Sequence, residues 1–365
     1  MENNEYLSSQ IITYIGNKRA LLKFIDSVVL KIKKELSKDK MVIGDLFSGS
    51  GIVSRYFKQY SYDLYVNDIE DYARTLNTCY LANKSTINFE ELNRIYQLLL
   101  KNLTLDKLKR GFISKLYSPY DDKNIKYGER VFYTTRNAMY IDTARQLLEE
   151  IEEPYKTLLL GPLLYEASTK NNTAGIFKGF YKNSKTMTGQ FGGNGKNALN
   201  RIMADIDLKL PVLSDFECNV HIFQKDTNKL IYSLPELDIV YLDPPYNQHP
   251  YGSNYFMLNL INNYIEPKIV SKVSGIPNDW NKSNYNKKTL ALSSLEEICK
   301  VLKAKYILIS FNSEGFITKK QMKEMLSKYG KVKIYAQKYN TFRGSRNLGN
   351  REIHVNEYLY VLKKE

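Results

Sequence analysis

The chain has 365 residues, enough to bury a full core and to hold either one large domain or a catalytic domain with a substantial insert. Its 53 Lys and Arg against 39 Asp and Glu give a formal charge of +14, an excess that favours a polyanionic partner. A polar start (MENNEYLSSQ) and the lack of an apolar run of about 18 residues argue against a secretory leader and a membrane span. Cys79, Cys218 and Cys299 form no CxxC pair, and His221, His249 and His354 are dispersed. Neither a metal site nor a disulfide framework is expected, and a reducing, cytoplasmic setting fits best.

In chain order, residues 18–36 carry apolar positions at helical spacing and predict one amphipathic helix. MVIGDLF (41–47) reads as a buried strand, GSGIVSRYFKQY as a glycine turn opening a helix, YDLYVND (62–68) as a second strand and residues 69–84 as a second helix. This alternation marks a doubly wound α/β sheet. From about 86 to 217 the character changes to helical stretches (91–103, 144–168) around a polar Gly/Asn/Lys-rich segment at 170–197. Strands return at NVHIFQKD, DIVYLDPPY, KYILISFN, KVKIYAQKY and HVNEYLYVL. The simplest account is one mixed sheet (1–85 and 218–365) interrupted by a largely helical insert (86–217).

The strongest motif is Asp243-Pro244-Pro245-Tyr246, at the C-terminal end of a predicted strand, where open α/β sheets bind ligands. The amino group of adenine is a poor nucleophile because its lone pair is delocalised into the ring. A carboxylate (Asp243) and a backbone carbonyl (Pro244) can accept its hydrogens and favour a pyramidal nitrogen, while Tyr246 can stack on a base taken out of the duplex. A strand ending in a proline turn with a capping Asp is the plain alternative. Asp45-Leu46-Phe47-Ser48-Gly49-Ser50-Gly51 lies between a strand and a helix, where glycines let the backbone approach a ligand. It lacks the Gly-Lys-Ser/Thr of a Walker loop and the third glycine of the dinucleotide fingerprint. Asp68 ends the next strand, where a carboxylate can hold ribose hydroxyls or cap the following helix. Tyr14-Ile15-Gly16-Asn17-Lys18 precedes the first helix; Lys18 can neutralise a ligand carboxylate or simply be solvated. Asp226 follows another strand and can accept from an adenine amino group or serve as an N-cap.

Together YIGNK (14–18), DLFSGSG (45–51), Asp68, Asp226, DPPY (243–246) and the tail FRGSRNLGNREIHVNEYLYVL make the chain resemble the α-class DNA N6-adenine methyltransferases of restriction–modification systems. The resemblance covers both flanks, roughly 1–85 and 220–365. It implies a sheet of the S-adenosylmethionine-dependent methyltransferase type and a target-recognition role for the insert. It implies cofactor contacts from Tyr14, Lys18, Asp45, Phe47, Gly49, Gly51, Asp68, Asp226 and Asp243, and catalysis by Asp243, Pro244 and Tyr246. The partner implied is double-stranded DNA, with a cognate endonuclease as a further one and a monomer as the expected state. Ser in place of Asp243 is the commoner choice for cytosine N4, so adenine is preferred.

Past DPPY the sequence runs on as NQHPYGSNYFMLNLI, where Tyr251, Asn254 and Tyr255 either close over the target base or pack as an aromatic loop. Two basic regions are candidates for DNA: Lys178, Lys182, Lys185 and Lys196 in one, Arg343, Arg346 and Arg351 in the other. A solvated loop is the alternative for each. Competing functions are methylation of RNA adenine or of a glutamine amide, and a DNA-binding regulator that keeps the fold without turnover.

Overall fold

The computed structural model describes residues 2–340, apart from Asn194 and Asn197, and residues 354–365; for 339, 340 and 354 the backbone alone is described. The strands are β1 (Met41–Asp45), β2 (Ser61–Asn67), β3 (Asn219–Phe223), β4 (Leu237–Leu242), β5 (Ala304–Asn312), β6 (Gly330–Asn340) and β7 (His354–Lys364). Among the described residues they form one sheet in the order β3-β2-β1-β4-β5-β7-β6. Pairings from β3 through to β5 are parallel, and β7 runs antiparallel between β5 and β6. Each strand expected from sequence is present, and the sheet is doubly wound and mixed.

Helices flank the sheet: α1 (Asn4–Ser8), α2 (Leu22–Leu36), α3 (Ile52–Phe57), α4 (Asp71–Tyr80), α5 (Phe89–Lys101), α6 (Phe112–Tyr117), α7 (Thr135–Glu149), α8 (Tyr155–Thr169), α9 (Leu199–Met203), α10 (Thr227–Leu230), α11 (Tyr251–Asn254), α12 (Phe256–Asn263), α13 (Lys288–Val301) and α14 (Lys319–Leu326). The two faces of the sheet follow from strand alternation. Along β5, Tyr306 and Leu308 pack with Ile25, Val28 and Val29 of α2, whereas Ile307 and Ile309 pack with Leu295 and Ile298 of α13. The central strand β4 is buried at every position, as a parallel strand covered on both faces must be, and its one charge, Asp238, is paired with Lys38 and Lys305.

Three sequence expectations shift. The helix over 18–36 opens as a 3-10 turn (Arg19–Leu21), leaving Lys18 just outside it. The helical stretch 144–168 is the end of α7, a break at 150–154, and α8. Pro154 stands at the N-cap of α8, a position that does not need its missing N–H, and α7 begins earlier than expected, where Thr134 accepts a bond from the Asn137 N–H. The extension after DPPY is helical rather than a loop, forming α11 and α12. Helices of the 86–217 segment share one apolar cluster with α4 and α12, including Leu158, Leu163, Cys79, Tyr80, Phe256 and Leu258. Gly161 of α8 is what allows this approach: a Cβ there would meet Cys79 Sγ at 2.6 Å.

Arg55 of α3 fixes the segment that leads to residues 14–18. Its guanidinium is only 1% exposed, donates to the carbonyls of Tyr6 (3.2 Å), Ser9 (3.2 Å) and Gln10 (2.9 Å), and lies over the Tyr80 ring at 3.7 Å. Removing it strands three buried carbonyls. Arg55→Met is expected to lower unfolding free energy by about 3 kcal/mol in urea denaturation, because buried acceptors lose a charged partner; a loss near zero would contradict this anchoring role.

Candidate active site

The C-terminal ends of β1, β2 and β4 lie side by side, and β1 and β4 flank the point where the winding of the sheet reverses. That reversal opens a crevice at this edge. A cavity partly open to solvent occupies it. Its wall draws on segments far apart in sequence: Tyr14–Lys18, Asp45–Val53, Asp68–Glu70, Lys225–Thr227, Asp243 with Pro245, and Asn281–Asn286.

The turn after β1 needs both its glycines. Gly49 has φ +49° and Gly51 φ +77°, backbone conformations that cost an L side chain about 1–2 kcal/mol. A Cβ on Gly49 would sit 2.8 Å from the Tyr14 ring, and one on Gly51 would sit 2.6 Å from Asn77 Oδ1. Asp68 holds this turn by accepting from the Gly49 N–H at 2.8 Å, and it accepts from the Glu70 N–H at 2.9 Å. Burial raises its carboxyl pKa. Asp45 is buried deeper: Ser54 Oγ donates to its Oδ2 at 2.6 Å, while Oδ1 has no hydrogen-bond partner. Burial, reinforced by Asp243 and Asp68, pushes Asp45 up to about 7. Phe47 meets Tyr285 edge-on at 5.1 Å, forming an aromatic corner. Asp226 both lines the cavity and caps α10, accepting from the Lys229 N–H at 3.2 Å, so the two readings of this residue coexist.

Tyr14 stacks against both Tyr251 (4.9 Å, 22°) and Tyr255 (4.7 Å, 24°), whose own rings lie 6.0 Å apart. The adjoining backbone is clamped as well: Ile15 N–H donates to Tyr255 Oη at 2.7 Å, and Tyr251 Oη donates to the Ile15 carbonyl at 3.1 Å. Tyr255 is wholly buried, and Asn254 is buried with its carbonyl accepting from the Phe177 N–H at 2.7 Å. For these two the packing alternative holds, while Tyr251 faces the cavity.

Lys18, 4% exposed, is ion-paired with Asp243 at 2.8 Å, donates to the Gly16 carbonyl at 2.8 Å and lies 3.8 Å from Glu357. Tyr246 Oη donates to Asp243 Oδ1 and lies 3.1 Å from Glu357 Oε1. Burial raises the Asp243 carboxyl despite the opposing pull of Lys18. Pro245 lines the cavity; Pro244 and Tyr246 sit behind the wall, the Tyr246 ring packed against Phe311 at 4.8 Å.

Sequence reasoning missed Glu70 and Glu357. Glu70 lines the cavity, accepts from Asn259 (2.7 Å) and Asn281 (3.2 Å), and is pushed up to about 8 by burial and the neighbouring Asp68. Nothing local in DIEDY marks it. Glu357 had a signal: it interrupts an inward-facing row, Val355, Leu359 and Val361, with a charge.

Of the basic candidates, Lys178 and Lys182 are half-buried, whereas Lys185 and Lys196 are exposed. Their segment is tied down by the wholly buried Asn172, which donates to the carbonyls of Val131 (2.7 Å) and Gln190 (2.8 Å) and accepts from the Gly192 N–H (3.0 Å). Lys182 Nζ lies over the Phe180 ring at 5.0 Å. Lys178 comes close enough to His249 to add to burial in lowering the imidazole pKa, which puts this segment beside the chain following DPPY. Arg343, Arg346 and Arg351 lie outside the described residues. Among the described residues no group of His, Cys, Asp and Glu is arranged to hold a metal ion, and no helix is long and apolar enough to cross a membrane.

Comparison with known proteins gives this site a family. The chain is 30% identical over 364 residues to the type II methyltransferase M.NlaIII of Neisseria lactamica, covering 97% of this chain and 99% of that one. It is 30% identical to M.CviAII of Paramecium bursaria Chlorella virus 1 over 361 residues, 96% and 98% of the two chains. It is 29% identical to M.FokI of Planomicrobium okeanokoites, where it spans 52% of the relative. A family profile matches residues 14–325, a stretch that contains the YIGNK segment, the glycine turn and DPPY. The chain belongs to the D12 class N6 adenine-specific DNA methyltransferases.

Proposed function

We propose that the cavity binds S-adenosylmethionine and that Asp243, Pro244 and Tyr246 act on an adenine rotated out of duplex DNA. The observation that carries this reading is the convergence of Tyr14, Phe47, Gly49, Asp68, Asp226 and Asp243 on one cavity from five separate stretches of chain. The residues suit a cationic nucleoside ligand. Asp45 presents an unpartnered buried oxygen, and Phe47 with Tyr285 offers an aromatic wall. When bound, S-adenosylmethionine supplies an activated methyl group.

The protein's own part is orientation and electrostatics. Asp243 accepts one hydrogen of the target amine and the Pro244 carbonyl the other, which favours the pyramidal, nucleophilic nitrogen. Lys18 opposes the protonation that burial favours at Asp243 and fixes the carboxyl at its Oδ2. Phosphates of the duplex lie along the segment bearing Lys178, Lys182, Lys185 and Lys196, beside the mouth of the cavity. The 86–217 segment serves as the target-recognition insert. The order of motifs, with cofactor residues first, insert second and DPPY last, supports the α-class arrangement. The type II names of the relatives support a place in a restriction–modification system with a cognate endonuclease.

Transfer of tritiated methyl groups to duplex DNA, followed by nucleoside analysis, tests the reading. Label is expected in 6-methyladenine, and Asp243→Ala should lower the rate by about 10³-fold or more, the scale of a lost transition-state contact in a buried site, in protein that circular dichroism shows to be folded. Label in 4-methylcytosine, or a near-normal Asp243→Ala rate, would overturn it. A second expectation concerns protons. Burial raises Asp45 to about 7 and Glu70 to about 8, so both are protonated in substantial part near neutral pH. A bound cation favours their ionised forms, so binding should release protons and tighten as pH rises from about 6 to 8. Calorimetry of S-adenosylmethionine binding in two buffers of different ionisation enthalpy measures this; no net release, or uptake, would contradict it.

A further inference from the structure

We infer that Glu357 is a positioning residue of the active site, a second acceptor for the Tyr246 hydroxyl that lets this group leave Asp243 when the target amine arrives. The inference rests on the assignment of Asp243 as the amine acceptor.

Two carboxylates compete for one phenol. Tyr246 Oη donates to Asp243 Oδ1 and is 3.1 Å from Glu357 Oε1, so its single hydrogen serves one at a time. With Lys18 on Oδ2 and Tyr246 on Oδ1, both oxygens of Asp243 are engaged. A donor on Oδ1 withdraws charge from the atom that must accept from the amine. Turning the hydroxyl toward Glu357 restores that charge, and the phenol keeps its proton throughout. The ring itself stays in place between Phe311 and the Lys18 ammonium, 5.1 Å from its centre.

Glu357 is built to receive the bond. It is 4% exposed on β7, paired across the sheet with Asn312 of β5 and Gln337 of β6, and Ser310 Oγ donates to its Oε1 at 2.8 Å. A carboxylate among Val355, Leu359 and Val361 is costly to bury, and apolar side chains would fill the row without that cost. Its position 3.8 Å from Lys18 also lets one cation steady both acceptors. The charged and titratable groups facing Asp243 are Lys18, Asp45 on β1, Tyr241 on β4, Tyr246, Tyr251 on α11 and Glu357 on β7. Of these, Lys18 and the Tyr246 hydrogen bond lower the Asp243 carboxyl, and Glu357 raises it.

A double-mutant cycle on the full chain tests this, with single-turnover methylation of duplex DNA followed across pH. Glu357→Gln is expected to slow transfer about tenfold, the scale of one lost charge-assisted hydrogen bond, with little change in half-saturation by DNA or donor. Its acid limb should move to lower pH, because the charge that raises Asp243 is gone. That of Tyr246→Phe should move to higher pH, because a bond that lowers Asp243 is gone. In the Tyr246→Phe background, Glu357→Gln should add almost nothing, since no hydroxyl remains to receive. Ser310→Ala, a milder change in the same contact, should show the same dependence on Tyr246. An equal slowing by Glu357→Gln in both backgrounds, or a wild-type rate and pH profile, would overturn the inference. An active Asp243→Ala would instead overturn the assignment on which it rests.

Discussion

The buried pairing of Lys18 with Asp243 is the constraint on which the rest of the site depends. It joins the segment before α2 to the end of β4, stretches more than two hundred residues apart, and does so at the sheet edge where the crevice opens. Removing two charges from water is costly, and the mutual attraction offsets that cost only when the geometry is good and further hydrogen bonds are made. Here the Gly16 carbonyl takes a second bond from the ammonium, and the Tyr246 hydroxyl serves the carboxylate. The pair therefore sets the position of the YIGNK segment against DPPY, and with it the width of the cavity between them.

Other contacts hold that arrangement from outside. Arg55 anchors residues 6–10, the Tyr14–Tyr251–Tyr255 stack clamps the segment onto α11, and Asp68 ties the glycine turn to the end of β2. Each contact joins an edge loop to a neighbouring helix, strand end or loop, so a cavity built largely from loops keeps a defined shape. Asp45, Asp68, Glu70 and Asp243 gather at its wall, and burial raises each carboxyl pKa despite the hydrogen bonds and the Lys18 ammonium that oppose the shift. Carboxyl groups crowded into a confined space favour a cation there.

Much of this was legible in the sequence for physical reasons. Buried parallel strands must be apolar runs, so MVIGDLF and DIVYL stood out. Turns that need positive φ must carry glycine, so Gly49 and Gly51 did too. Asp68 and Asp243 sit immediately after strands, where local pattern points directly to the ligand-binding edge. Glu70, Asn281 and Ser310 were not legible, because what makes them part of the site is pairing across the sheet and packing between distant loops, and Glu357 shows only as a charge in an apolar row. Asp226 and Tyr255 each had two readings in the sequence, and the structure gives Asp226 both a capping bond and a place on the cavity wall, and Tyr255 a place in the core. Helix ends between 144 and 168 were misjudged because a charged apolar-periodic run conceals a break that only Pro154 marks.

A crystal structure of the chain with S-adenosylhomocysteine tests the central claim most directly. The account predicts the thioether sulfur between the Gly49–Gly51 turn and Asp243, with the Lys18–Asp243 pair intact. A ligand bound away from this edge of the sheet, or one that enters only by breaking that pair, would contradict it.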